Sequence, residues 1–250
     1  MVDASTGEIL FSKNPNRWLP PASTAKLMTA IVAIENQNLS NVVAISKAAA
    51  HVHPSKAGFR EGNKVTVEGL LYAALLRSAN DAAIALAEAV AGSEDKFVRL
   101  MNSKAASIGA MGTKFVNSTG LPGPGQHITA LDLSRIMKYA MRYPKLNEIL
   151  GTPTAKISTE EGKTFFLRNT DKLLWSDEEV IGGKTGFTDR AKHCFVCAAE
   201  HEKEVVIVAL LGSPSRRNLW EEAKKLIAKG FEKITHERAQ EVDTQGGQKS

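Results

Sequence analysis

Cysteine is almost absent from this sequence, which has only Cys194 and Cys197 among its 250 residues. The two lie three positions apart in a β-like run, so their Cα atoms are about 10 Å apart and their side chains face opposite ways. That separation is too long for a disulfide between them, and a zinc site would need a second ligand pair. The sequence therefore predicts two packed or half-exposed thiols.

Long hydrophobic runs are also missing. The longest apolar stretches fall well short of the about 18 residues that a membrane-spanning helix needs. The N-terminus lacks a basic segment followed by an apolar run. We expect a chain that is soluble as it stands. The abrupt start at Met1, already in a strand-like pattern, is compatible with a secreted protein whose leader has been removed.

No segment concentrates charge of one sign. The 32 lysines and arginines are scattered among 27 acidic residues, for a formal net charge of +5. Nucleic-acid binding proteins gather basic residues on one face, so we expect no nucleic-acid partner. A length of 250 residues with 43% hydrophobic composition is enough for one large core or two modest ones.

Apolar periodicity predicts strands at both ends of the chain and helices between them. A first hairpin joins residues 2–3 to residues 9–11, and a helix at about 22–36 is apolar all round, which is typical of a buried helix. Further helices are predicted at 67–77, 82–90, 95–108, 130–141 and 219–234, and further strands at 165–167, 180–185, 193–199 and 205–211.

These elements indicate a mixed α+β fold. Its simplest form is one mainly antiparallel sheet, built from the first hairpin and the last strands, with helices on its faces and an all-helical subdomain at about 67–143. We expect one domain over residues 1–235. Residues 236–250 are polar and unpatterned, and we expect them to be disordered.

The first motif is Ser23-Thr24-Ala25-Lys26, at the start of the apolar helix. Residues three apart share a helix face, so Ser23 and Lys26 should lie side by side. Burial lowers the pKa of a lysine and gives an amine that accepts the serine proton. The alternative is a capping serine followed by a solvated lysine.

The second motif is Ser78-Ala79-Asn80, between two apolar helices. All of its polar residues are good N-caps, so a structural role would explain them. In the functional interpretation, Ser78 faces Ser23 and relays a proton, while Asn80 donates to a substrate amide or to Lys26.

The third motif is Lys184-Thr185-Gly186, preceded by Gly182-Gly183. A phosphate-binding loop would need glycine at position 178, where this chain has Glu178, and a helix afterwards. A strand is predicted instead. The small Gly186 lets a substrate backbone lie along that strand, while Lys184 and Thr185 hold a carboxylate.

Together the three motifs resemble those of penicillin-binding proteins and class A β-lactamases. The chain is similar, from Met1 to about Ile234, to the serine D-alanyl-D-alanine carboxypeptidases of low molecular mass. The likeness extends to Asp3-Ala4-Ser5-Thr6-Gly7 and to the residues flanking each motif. It implies a β-lactamase/transpeptidase-like fold, location outside the cytoplasmic membrane, no metal and no organic cofactor.

The resemblance also implies residue roles. Ser23 would attack the carbonyl between two terminal D-alanines of a peptidoglycan stem peptide, with Lys26 as base and Ser78 and Lys184 passing the proton on. The backbone N–H groups of Ser23 and Phe187 would form the oxyanion hole. A further cation for the substrate carboxylate is expected in Arg217, although its neighbour Arg216 is an alternative.

The implied partners are stem peptides ending in D-Ala-D-Ala and β-lactam antibiotics, which would acylate Ser23. The rivals are a serine β-lactamase and a catalytically silent cell-wall binding module. A class A β-lactamase needs a Glu-x-x-Leu-Asn loop, and the one Leu-Asn pair here, Leu146-Asn147, has Tyr143 where the acid would stand. From the residues after Ile234 we expect neither a second β-rich domain nor an amphipathic membrane anchor in the sequence as given.

Overall fold

The computed structural model of this chain describes residues 1–246, with side chains through His236. The strands are β1 (Val2–Asp3), β2 (Val42–Ala44), β3 (Lys64–Thr66), β4 (Thr154–Ser158), β5 (Thr164–Arg168), β6 (Val180–Thr188), β7 (Lys192–His201) and β8 (Glu204–Ser213). The main sheet has four antiparallel strands in the order β1-β8-β7-β6, so the first strand of the chain pairs with the last. Two further two-stranded sheets pair β2 with β3 and β4 with β5.

Helices cover both faces of the main sheet. The α-helices are α1 (Lys26–Asn36), α2 (Lys47–His51), α3 (Val67–Leu76), α4 (Asn80–Ala91), α5 (Glu94–Ser107), α6 (Ala130–Ala140), α7 (Pro144–Leu150) and α8 (Arg216–Gly246). Ser93 caps α5 and Thr129 caps α6, each accepting a backbone N–H with its side-chain oxygen. Helices α3 to α6 lie within the block predicted to be helical.

The alternation of strand side chains divides the core between the two faces of the sheet. Val196 and Ala198 of β7 face α1 and the helices around it, while Cys197 and Ala199 face α8. The first eight residues of α1 are all buried. This agrees with the all-round apolar pattern of its sequence, and it places the element that carries the first motif in the middle of the protein.

The two thiols are packed, as predicted. Cys194 and Cys197 are free and fully buried, and burial raises the pKa of Cys194 to about 11. Inert, protonated thiols are expected in such surroundings.

The C-terminal prediction was wrong in part. The backbone is helical through Gly246, twelve residues beyond the predicted end at Ile234. The sequence after Ile234 is rich in good helix formers, which extend a helix without an apolar pattern. Residues 247–250 of the expected disordered tail lie outside the described residues. In the part that is described, no helix is both long enough and apolar enough to cross a bilayer.

Candidate active site

Ser23 lies in a single 3₁₀ turn, Ala22–Ala25, that runs directly into α1. The side chain of Lys26, the first residue of α1, comes back over this turn, and its Nζ is 3.0 Å from Ser23 Oγ. The same Nζ donates to Asn80 Oδ1 at 2.6 Å and to the carbonyl oxygen of Thr119 at 2.7 Å. Serine, amine, amide and loop carbonyl therefore meet at one point.

Burial without a carboxylate contact determines the protonation of Lys26. Its side chain has no solvent exposure, and burial, with the nearby charge of Lys184, holds its pKa well below the usual range, against an opposing effect of Asp81. A neutral amine has two N–H groups, and these donate to Asn80 Oδ1 and to the Thr119 carbonyl oxygen. Its lone pair is then left for the hydroxyl proton of Ser23.

A second serine-lysine pair stands at the other side of the cleft. Lys184 of β6 is buried, and its Nζ donates to Ser78 Oγ at 2.9 Å and to the Thr185 carbonyl at 3.0 Å. Burial lowers the pKa of Lys184 to about 7. Ser78 has a φ of 61°, a left-handed conformation that is strained for serine; strained residues of this kind cluster at active sites.

Strand β6 passes very close to the 3₁₀ turn. A Cβ placed on Gly186 would lie 2.9 Å from the Ser23 nitrogen and 3.0 Å from the Ala22 Cβ. Only glycine fits this approach, which brings the next residue, Phe187, beside the serine. Thr185 lies at the cleft, and its hydroxyl is 2.6 Å from that of Thr170.

These elements enclose a cleft of about 520 Å³. Of the residues predicted for the site, it is lined by Ser23, Ser78, Thr185, Gly186 and Phe187. Lys26 and Lys184 do not line the cleft themselves. Each amine contacts a serine that does, Lys26 contacting Ser23 and Lys184 contacting Ser78.

Two predicted residues are placed differently. Asn80 is buried, accepts from Lys26 instead of donating to it, and donates one of its two amide N–H groups to the Pro54 carbonyl. Arg217 points along the surface of α8, where it donates to Glu221 one turn later at 2.7 Å. Arg216, not Arg217, lines the cleft.

Thr119 and Asp171 also contribute to the site, although neither was predicted from the sequence. Thr119 acts through its backbone carbonyl, so its side-chain type carried no signal. Asp171 is fully buried behind β6, where its Oδ1 accepts the Leu173 N–H at 2.8 Å and its Oδ2 has no partner among the described residues. A Cβ on Gly183 would lie 2.6 Å from that Oδ2. The only signal available was an acidic residue two positions before the apolar pair Leu173-Leu174.

Asp171 should make stability depend on pH. Burial raises its pKa from 3.8 to about 6, so its favourable contribution is present below pH 4 and is lost as the pH rises through 6. We expect the effect of Asp171→Asn on the unfolding free energy to be more favourable at pH 8 than at pH 4 by about 2.5 kcal/mol. Urea unfolding at both pH values measures this. An equal effect of the substitution at the two pH values would contradict it.

Gly120 holds the loop that offers the Thr119 carbonyl. Its φ is 79°, and a Cβ there would lie 1.8 Å from the Ala22 carbonyl oxygen. Gly120→Ala should therefore lower the unfolding free energy by about 3 kcal/mol or more, because backbone must move. Gly125 is the control: its φ is 71° and only Lys114 Nζ lies near, at 3.7 Å. Gly125→Ala should lose about 1–2 kcal/mol, and equal losses in thermal unfolding would refute the steric argument.

A serine hydroxyl beside a buried, low-pKa amine, with a second serine-lysine pair and a glycine-containing strand along one cleft, defines an active-serine enzyme for acyl transfer. Residues 1–215 match the family described as D-alanyl-D-alanine carboxypeptidase. The chain belongs to this family.

Relatives and solved structures agree with that assignment. The D-alanyl-D-alanine carboxypeptidase DacF of Bacillus subtilis is 33% identical over 87% of this chain and 58% of its own length. DacB2 of Mycobacterium tuberculosis is 34% identical over 92% of this chain and 80% of its own. The chain thus spans little more than half of the first relative.

Among solved structures, the DD-transpeptidase of Streptomyces K15 superposes with a TM-score of 0.86 at 33% identity, covering 92% of this chain and 94% of that one. A D-alanyl-D-alanine carboxypeptidase from Mycobacterium tuberculosis gives 0.87 at 34% identity, covering 92% and 88%. The predicted family, mixed α+β fold and enzyme class, a serine-type peptidase, are confirmed.

Proposed function

We propose that this protein removes the terminal D-alanine from peptidoglycan stem peptides through an acyl-enzyme on Ser23. The observation that carries the proposal is the 3.0 Å contact between Ser23 Oγ and a Lys26 Nζ whose two N–H donors are already engaged. A weak nucleophile is activated by a base held within hydrogen-bond reach, and this contact supplies one.

Acylation follows from the roles of these groups. Ser23 Oγ bonds to the carbonyl carbon between the two D-alanines as its proton passes to Lys26 Nζ. The oxyanion lies against the backbone N–H groups of Ser23 and Phe187, each of which contributes roughly 10²–10³ in rate by analogy with measured donors. Ser78 gives its hydroxyl proton to the departing D-alanine nitrogen as the peptide bond breaks, and Lys184, whose Nζ is 2.9 Å from Ser78 Oγ, gives a proton to Ser78 in return. Water then hydrolyses the ester.

The free carboxylate of the leaving D-alanine needs donors and positive charge. Thr185 and Arg216 line the same cleft and supply both. Lys184 lies beneath Thr185, so its charge adds to the attraction although its Nζ is bound to Ser78. We assign the role first expected of Arg217 to Arg216, because Arg217 lies outside the cleft.

The composition of the cleft favours a carboxypeptidase over a β-lactamase. Among the described residues that line it there is no aspartate or glutamate to activate a water against a β-lactam ester. Leu146 and Asn147 belong to α7, and the hydroxyl of Tyr143 contacts Glu35 instead of the cleft. We therefore expect β-lactams to leave long-lived adducts on Ser23.

A catalytically silent binding module fits less well. Burying Lys26 and Lys184 is unfavourable for stability, and a binding role would not require either amine to have a lowered pKa. The substrate of this family lies in the cell wall, and we propose that this chain acts outside the cytoplasmic membrane.

The test is release of D-alanine from a diacylated tripeptide that ends in D-Ala-D-Ala. A matched peptide with a C-terminal amide tests the carboxylate pocket, and we expect it to be cleaved at least about 10-fold more slowly. Absence of D-alanine release from the acid peptide would refute the proposed function. Equal cleavage of the two peptides would refute the roles of Thr185 and Arg216.

A further inference from the structure

Three basic side chains line the cleft in addition to Arg216. We call Arg77, Arg168 and Lys172 the cationic arm. No carboxylate lines the cleft with them, and in the described part of the chain none of the three belongs to an ion pair. The whole chain has 27 acidic residues against 32 basic ones. The excess of positive charge at the cleft is therefore local and does not follow from the overall composition.

The cationic arm lies beside the substrate strand. Arg168 ends β5, and the segment that follows it is fixed to β6, because Thr170 contacts Thr185 and Asp171 packs against Gly183. The Arg168 guanidinium lies over the ring of Trp175 at 5.0 Å. A guanidinium stacked on an indole keeps its N–H edge free for an anion.

Arg77 adds a third positive charge to the same cleft. It immediately precedes Ser78, and its Nε donates to the Lys56 carbonyl at 3.2 Å, which holds the guanidinium at the cleft. Like charges gathered without counter-ions repel one another, and a bound anion relieves that repulsion.

The carboxylate of the terminal D-alanine does not account for this charge. One carboxylate accepts from a few donors, and the proposed function already gives it Thr185 and Arg216. The cationic arm therefore has room for a second anionic group in the same cleft. Apart from the leaving D-alanine, the carboxylates of a stem peptide belong to the residues that come before D-Ala-D-Ala.

We infer that the cationic arm binds a second carboxylate of the stem peptide, on the side chain of the residue that precedes D-Ala-D-Ala. This inference rests on the proposed function and narrows its substrate class. The preferred substrate has a diamino diacid with a free carboxylate at that position. Peptides with a lysine there, or with that carboxylate amidated, are poorer substrates.

Two peptides that differ only at this carboxylate test the inference, one with the free acid and one with its amide. We expect kcat/KM for the acid to be about 3–10-fold higher, since each of two solvent-exposed ion pairs contributes about 0.2–1 kcal/mol. In the double variant R168Q/K172Q, the ratio of the two kcat/KM values should fall close to one. Arg77 is left intact because it adjoins Ser78.

The matched control is K96Q/R99Q. It removes the same two charges from the exposed face of α5, away from the cleft, and it should keep the wild-type ratio. Raising the salt concentration should also reduce the wild-type ratio, because these contacts are exposed.

The possible outcomes distinguish failure of the proposed function from failure of the inference about the second carboxylate. If neither peptide releases D-alanine, the proposed function fails. If both peptides are cleaved equally well by the wild type, or the amide is preferred, the inference is overturned while the carboxypeptidase function stands. A preference for the acid that survives in R168Q/K172Q would remove the role of the cationic arm.

Discussion

Ser23→Ala will abolish both D-alanine release and covalent labelling by penicillin. The substitution removes the only atom that forms the ester, while the Lys26 amine keeps its contacts with Asn80 and Thr119. Loss of a catalytic serine lowers kcat by roughly 10⁴–10⁶-fold in comparable enzymes. Intact-mass spectrometry after incubation with penicillin measures the adduct, and a D-alanine assay measures turnover.

Ser103→Ala is the matched control for this experiment, because Ser103 is an exposed serine on α5 outside the cleft. It should give the full adduct mass and wild-type turnover. An adduct on the Ser23→Ala protein, mapped to a peptide other than the one containing residue 23, would show that another residue is the nucleophile.

Lys26→Gln will leave peptide binding intact and nearly stop acylation. A glutamine amide still donates to Asn80 and Thr119, so the buried carbonyls keep partners, but it does not accept the serine proton. General-base catalysis contributes about 10²–10⁴-fold. Stopped-flow acylation by a chromogenic β-lactam measures the rate constant, and calorimetry measures binding of the peptide.

The pH profile separates a base from a structural lysine. The lowered pKa of Lys26 means that acylation by the wild type should rise with pH as the amine loses its proton and then level off. In Lys26→Gln that rising limb should disappear, whereas a variant that merely loosens the fold would keep it at reduced amplitude. An unchanged profile together with an unchanged rate would exclude Lys26 as the base.

The elements that carry the site were predictable because their patterns are strong. Strands β6 to β8 and helices α3 to α6 have clear periods, and the spacing of Ser23 and Lys26 alone indicated their contact. The short helix α2, strands β2, β3 and β4 and the helix α7 were missed. Each has few residues, so its sequence pattern is weak, and β2 and β3 form only by pairing with each other across the intervening helix α2.

The sequence predicted the parts of the site that depend on the chemical type of a side chain. It did not predict those that depend on a backbone group or on the direction in which a side chain points. The direction of the Asn80 hydrogen bond depends on Pro54, which lies 26 residues away in the chain. The choice between Arg216 and Arg217 depends on which face of α8 meets the cleft, and the sequence of two adjacent arginines does not contain that information. The unpartnered Oδ2 of Asp171 follows from a close packing against Gly183 that only the three-dimensional structure shows.

The position of Lys26 at the head of α1, in the centre of the core, links chemistry to folding. The amine can have its lowered pKa only while the helix is enclosed, because water entering the core would restore an ordinary, protonated lysine. The fraction of molecules that penicillin acylates therefore reports the fraction that is folded, because only a folded molecule has Lys26 buried and neutral.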